Sequence, residues 1–461
     1  MHATHNTGPS QQHQVRHHAC HSDAYAFFNL LTSDRWLDTV ESLLPAHRER
    51  HFPPTETLSM FMAQALSADR SCQQAVNAAS VKRLVGGLPR CSTHTGAYCR
   101  ARSRLPTNMV STLTRDTGRW ITAQAPTAWH WRNRPVRLVD GTTVTLPDTP
   151  ANQAAYPQSS NQKPGLGFPL CRIVGLVCLG SGAVLNASFG RYSGKGGDEQ
   201  SLLRSMLDTL ERHDLLLGDA FYATYFLLCQ LQVRGIDAVF EQHGSRRRTI
   251  DFRLGRRLGV RDHLIVLSKP IVKPSWMLLA DYDCAPATVT VRELRAGCKT
   301  LVTTLLCAKQ TDKAALTSLY KSRWHVELDL RNIKTTLGMA HLSCRTPAMA
   351  IKEIWVYLLA YNLIRLMMAE AANLAHRLPR QISFKHTVQL WIAWSGQGQT
   401  MRQDQIYDLL VLIAQQRVGK RPDRIEPRAV KRRPKTYPLL TKPREQARAN
   451  IAQFGHPKKL K

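Results

Sequence analysis

Near residue 135 the spacing of apolar side chains changes from helical to strand-like, and this change constrains the fold most. PVRLVDGTTVTL alternates apolar and polar residues, and CRIVGLVCLGSGAVLNASFG reads as two apolar strands around a Gly-Ser-Gly turn. SLLRSMLDTLERH has the pattern of an amphipathic helix. DLLLGDAFY reads as a strand running into a turn, ATYFLLCQLQVRG as a helix and DAVFEQ as a strand. Three strands, then helix, strand, helix and strand predict a mixed α/β layer over 131–241. Residues 242–300 break the rhythm with Arg246, Arg247 and Arg248 and the strand-like pieces HLIVLSKP, WMLLADY and VTVREL. They predict a β-rich insertion, after which the layer resumes over 301–395.

Residues 1–22 predict a disordered leader with six histidines, read as incidental rather than as a built metal site. The pattern over 23–130 is helical in short pieces. Its last piece, AYCRARSRL, carries Arg100, Arg102 and Arg104. Short helices with arginines on the last fit a DNA-reading helix-turn-helix and fit a small bundle with a solvated basic face equally well. A C-terminal helix is expected over 396–416. The tail 417–461 holds fifteen Lys+Arg against three Asp+Glu, which predicts a disordered basic tether.

The whole chain carries 63 Lys+Arg against 33 Asp+Glu, a formal net charge of +30. That excess points to a polyanionic partner, nucleic acid before an anionic membrane surface. IWVYLLAYNLI, between Glu353 and Arg365, falls short of the roughly 18–20 apolar residues a bilayer span needs and reads as a buried core helix. No secretory signal is read at the N-terminus. None of the eleven cysteines forms a C-x2-C to C-x4-C pair, so a zinc finger is not expected and reduced cytosolic thiols are.

YKSRWHVELDLRNIK places Tyr320, Arg323, Glu327 and Lys334 at offsets of three, seven and fourteen from the tyrosine. At about 100° per residue the last three fall near about −60°, −20° and −40° on a helix. The four would share one stripe, an acid among two cations and a phenol. That set suits a site holding a metal and phosphate oxygens together. Divalent magnesium or manganese needs further oxygen ligands. Asp140 in VRLVD and Asp219 in LLLGD are read as strand-end acids, placed for one mouth of an α/β sheet. Taken singly, each acid also reads as a turn, a cap or a surface residue. Trp324, about 100° round the helix from Arg323, is expected in the core, and His325 is expected to be structural.

Y-x2-R-x3-E-x6-K, with acids matching Asp140 and Asp219, resembles the signature of a large family of bacterial insertion-sequence transposases of the DDE class. The spacings of 79 and 108 residues suit that family's interrupted core, and the resemblance covers roughly 55–395. It implies an RNase H-like catalytic core, cut-and-paste transposition through hairpin ends, and two Mg²⁺ or Mn²⁺ ions held by Asp140, Asp219 and Glu327. It further implies phosphate contacts from Tyr320, Arg323 and Lys334, and a base-stacking tryptophan in the insertion, for which Trp276 stands. Transposon-end and target DNA, a synaptic homodimer and a cytoplasmic location follow by the same resemblance. A nuclease or resolvase without strand transfer, and an inactive DNA-binding derivative, are the competing readings. Lys195 and Arg246 to Arg248 are candidate DNA-backbone contacts and fit a solvated basic face equally well.

Overall fold

The computed structural model describes residues 39, 42–44, 52–85, 91–194, 197–395, 403–419 and 440–455. The leader, Lys195 and most of the basic tail lie outside the described residues. From residue 52 on, the described residues open with α1 (Pro54–Leu66), α2 (Cys72–Val85), α3 (Thr95–Arg104) and α4 (Thr107–Ala123). Phe52, Met60, Val76, Ala79, Tyr98 and Ala101 close a small core among the first three. The N–H groups of α1 begin at a proline, which has none to leave unpaired.

The central part contains β1 (Val136–Thr145), α5 (Pro150–Ala155), β2 (Leu170–Cys178), β3 (Val184–Arg191), α6 (Glu199–Arg204), β4 (Leu215–Gly218), α7 (Tyr225–Val233) and β5 (Asp237–Glu241). α8 (Gly244–Arg247), β6 (Arg256–Gly259), β7 (Asp262–Ser268), α9 (Leu279–Cys284), β8 (Thr288–Ala296) and β9 (Lys299–Thr303) follow. All nine strands form one sheet in the order β3-β2-β1-β4-β5-β9-β8-β7-β6. β1, β2 and β3 pair antiparallel, β4 and β5 run parallel to β1, and β9 returns antiparallel to β5. The β2–β3 turn needs Gly182, whose φ of 77° lies in the left-handed region.

Alternation along each strand gives the sheet two apolar faces. Val136, Leu138, Leu215 and Leu217 face one core, and Val139 and Leu216 face the other. The second face is covered by Leu202 and Leu203 of α6 and by Leu227, Leu228 and Leu231 of α7. The first face meets α10 (Lys313–Lys321), α11 (Trp324–Arg331) and α12 (Pro347–Leu374). α13 (Phe384–Ser395), α14 (Gln403–Gln415) and α15 (Arg444–Phe454) complete the described helices. By composition α12 is long and apolar enough to cross a bilayer, but 94% of its most apolar window is buried in the protein. Two of its buried charged residues are paired inside the fold. Glu353 accepts from the N–H groups of Ser343 and Cys344, and Lys352 donates to the carbonyls of Arg102 and Ser103.

Several local expectations differ from the structure. SLLRSMLDTLERH is not one helix: α6 stops at Arg204 and a single 3₁₀ turn, Leu207–Thr209, follows. WMLLADY is not a strand but a turn leading into α9, while HLIVLS and VTVREL are strands as read. The insertion strands are continuous with the main sheet, because β9 pairs with β5 and β8 with β9. Within the tail expected to lack structure, Arg444–Phe454 is helical.

Candidate active site

Asp140 does not end its strand, as the sequence implied. β1 continues to Thr145 because β2 remains paired with it that far, with Asp140 opposite Gly175. What ends is the pairing with β4, whose last matched residues are Leu138 and Leu217. Continuing that register by two residues sets Asp219 level with Asp140, since the register offset and the sequence spacing are both 79. By strand alternation Asp140 falls on the face of Leu138, where α10 and α11 lie. The chain leaves β4 in a turn that Asp219 closes by accepting from the Phe221 N–H at 2.8 Å.

The stripe from Tyr320 to Lys334 is not one regular helix. α10 ends at Lys321, and the N–H groups of His325 and Val326 reach back three residues, to the carbonyls of Ser322 and Arg323. After α11 a π-turn runs over Asn332–Thr336, with the Leu337 N–H bonded to the Asn332 carbonyl. A tightened turn and a widened turn both depart from about 100° per residue, so the four side chains do not share one environment. Tyr320 is 6% exposed, and its hydroxyl donates to the Gly218 carbonyl at 3.2 Å, which ties α10 to the residue before Asp219. Arg323 donates to Glu327 Oε1 at 2.5 Å and stands 3.5 Å from Asp140 Oδ2. Lys334 donates to Thr142 Oγ1 at 3.1 Å, one turn of strand beyond Asp140.

Burial pushes the Asp140 carboxyl up to about 6. The Gly141 N–H and Arg323 oppose this, and the charges of Asp219 and Glu199 add to it. Glu199, at the start of α6, is likewise raised, chiefly by burial, with Asp219 adding. Arg323 thus supplies positive charge between Asp140 and Glu327, in a mouth where Asp219 and Glu199 both raise Asp140. Among the described residues no three His, Cys, Asp or Glu side chains close into a metal-ligand set. Glu199 was not singled out in the sequence, because its approach to Gly141 depends on how α6 lies across the sheet.

The other candidates fall apart from this mouth. Trp276 is 42% exposed and packs against α6 and α7, with the Arg204 guanidinium 3.4 Å from its ring centre and Phe226 edge-on at 6.3 Å. Burial lowers Arg204 to about 10. Arg102 is a correction to the basic helix: it is 8% exposed and lies over the rings of Phe61 and Tyr98, at 4.7 and 5.1 Å. It falls on the buried side of α3 with Tyr98, four residues back, whereas Arg100 and Arg104 face outward. Trp324 is also corrected, being 57% exposed. α11 buries Val326, Asp329 and Leu330, and a residue two before Val326 points to the opposite side. His325 is half-buried, and burial together with Arg380 pulls it down to about 4. Arg246 is held by the buried Glu293, while Arg247 and Arg248 are exposed.

The family profile described as the transposase DDE domain matches residues 131–363, half of the chain. The chain belongs to the DDE transposase family. This transposase is 27% identical over 409 residues to the transposase InsG for insertion sequence element IS4 of Escherichia coli (strain K12), covering 86% of this chain and 89% of the relative. A piggyBac transposase synaptic complex with hairpin DNA overlaps 87% of this chain and 86% of its own at 10% identity, with a TM-score of 0.43. The matched segment of the transposase contains Asp140, Asp219, Glu199 and the whole Tyr320–Lys334 stripe.

Proposed function

We propose that this insertion-sequence transposase binds the terminal inverted repeats of its element and performs cut-and-paste transposition through hairpin ends. One observation supports this above the rest. Asp140 and Asp219 lie at one level of the sheet where β4 departs, and Arg323 draws Glu327 towards Asp140. An RNase H-like core over 131–241 and 301–395 accords with three antiparallel strands followed by two parallel ones, in the order β3-β2-β1-β4-β5. The helices of 23–130 are taken as the DNA-binding part.

The donor chemistry fits hard divalent cations, because Asp140, Asp219 and Glu327 offer only oxygen. These three acids would hold two Mg²⁺ or Mn²⁺ ions, which when bound polarise phosphate oxygens and ease ionisation of the attacking water or 3′-hydroxyl. Arg323 holds Asp140 and Glu327 together until then, and with Lys334 it holds phosphate oxygens of the strand opposite the cut. Tyr320 acts by holding α10 against the Gly218 carbonyl, which steadies the turn bearing Asp219. Water first frees a 3′-hydroxyl at the element end, and that hydroxyl attacks the opposite strand to leave a hairpin. The exposed part of Trp276 would stack on a base flipped from the hairpin. Arg100 and Arg104 contact phosphates. Water then reopens each hairpin and releases the 3′-hydroxyl again; two copies join the two ends, and the freed 3′-hydroxyls attack target DNA.

Asp140→Asn, Asp219→Asn and Glu327→Gln should each abolish cleavage of element-end DNA in Mg²⁺ while retaining binding to that DNA. Cleavage at the wild-type rate by Glu327→Gln would remove the assignment.

A further inference from the structure

The mouth is approached from its other side by an acid that the three-carboxylate pattern does not include. α6 begins at Glu199, and its start is fixed: Asp198 accepts from the Ser201 N–H at 3.0 Å and from the Ser201 hydroxyl at 2.6 Å. The next residue clasps the Asp219 turn. Gln200 Nε2 donates to the Phe221 carbonyl at 2.5 Å, and Gln200 Oε1 accepts from the Thr224 hydroxyl at 2.9 Å. Glu199 itself accepts from the Tyr222 hydroxyl at 3.3 Å, three residues after Asp219. Its carboxylate then lies against the backbone of Gly141, where a Cβ would collide with both carboxylate oxygens. Gly141 and Asp140 point to opposite faces of β1. The missing side chain at 141 is therefore what lets an acid from the α6 face reach the level of Asp140. Among the described residues Glu199 forms no ion pair, although the chain carries almost twice as many basic as acidic residues.

We propose that Glu199 is a fourth carboxylate of the divalent-cation site, reaching it through the space left by Gly141. The inference rests on the assignment of Asp140, Asp219 and Glu327 as cation ligands. A carboxylate with one oxygen on a phenol and the other directed at the strand adds negative charge where a cation must lose water. Its position on the opposite face from α11 would leave the Arg323 side of the mouth open to phosphate. The same geometry assigns Gly141 a specific duty, since any side chain there would expel Glu199.

The test is Mn²⁺ binding to the full-length protein without DNA, followed by calorimetry or by loss of the free-ion electron paramagnetic resonance signal. Glu199→Gln should weaken Mn²⁺ binding at least tenfold with an unchanged far-ultraviolet circular dichroism spectrum. Glu199→Asp, which keeps the charge on a shorter arm, should fall between, and Gly141→Ala should weaken binding as Glu199→Gln does. Asp140→Asn serves as the reference. If Asp140→Asn loses Mn²⁺ binding while Glu199→Gln binds as wild type, the fourth carboxylate is refuted and the three-acid site stands. If Asp140→Asn also binds as wild type, the underlying assignment fails with it.

Discussion

Replacing Asp329 with alanine should destabilise the fold more than any change at the mouth. Asp329 lies two residues after Glu327 but on the buried side of α11, with its side chain 0% exposed. It accepts from Arg365 Nη2 at 2.5 Å, from Arg380 Nη1 and Nη2 at 3.0 and 2.8 Å, and from the Tyr361 hydroxyl at 3.0 Å. The Arg365 and Arg380 side chains are only 4% and 11% exposed. Removing the carboxylate leaves two buried guanidinium groups facing each other, and breaking such a group costs about 3–5 kcal/mol. Part of the loss is offset. Arg380 keeps the carbonyls of Leu179 and Cys178, and Arg365 keeps the Tyr361 oxygen at 2.8 Å, so the lower end, about 3 kcal/mol, is the expected value. At ~2–4 °C per kcal/mol for a core of this size, Tm should fall by about 6–12 °C. Asp329→Asn retains an acceptor and should fall by roughly half as much. Differential scanning calorimetry on the metal-free protein reads the shift. A fall of less than ~2 °C for Asp329→Ala would show that the two arginines do not depend on this acid, and the buried network would be misassigned.

Two further outcomes follow from the burial of particular charges. Arg102→Ala should lower stability by about 1–2 kcal/mol through lost stacking on Phe61 and Tyr98; DNA affinity should keep its salt dependence, whereas Arg100→Ala and Arg104→Ala should each reduce the salt slope by about 1 in anisotropy titrations. Asp140 is raised in the folded protein from 3.8 to about 6, so between those values the folded state binds the extra proton and stability falls as pH rises. The loss is at most ~3 kcal/mol for a shift of this size, complete above about pH 6, and Asp140→Asn should remove that slope from metal-free denaturation curves; a slope unchanged in Asp140→Asn would place its origin elsewhere.

Much of the fold was legible because strand alternation and turn glycines are local signals. The two hairpin strands around Gly182, the strand before Asp219 and the resumption at TLVTT were each read where they lie. Errors arose where tertiary contacts override local pattern. Arg102 looked like its neighbours until α1 covered it, and Trp324 looked like a core residue until the buried side of α11 was fixed by Asp329 and Leu330. The helix after residue 204 failed because the chain turns into β4, which no spacing in SLLRSMLDTLERH records.

For the site, the sequence alone determined which acids and cations are present and that 79 residues separate Asp140 from Asp219. Only the tertiary structure turned that number into a register, by pairing β1 with β4 at the same offset. The sequence also set Tyr320, Arg323, Glu327 and Lys334 at helical intervals, but hydrogen bonding divided their environments. Tyr320 is drawn to the Gly218 carbonyl, Arg323 spans two acids, and Lys334 reaches Thr142 from within a π-turn. The approach of Glu199 to Gly141 is wholly a product of tertiary structure. It joins residues 58 apart across opposite sides of one strand, and the physical cause is the absence of a Cβ at the point where the helix start meets the sheet.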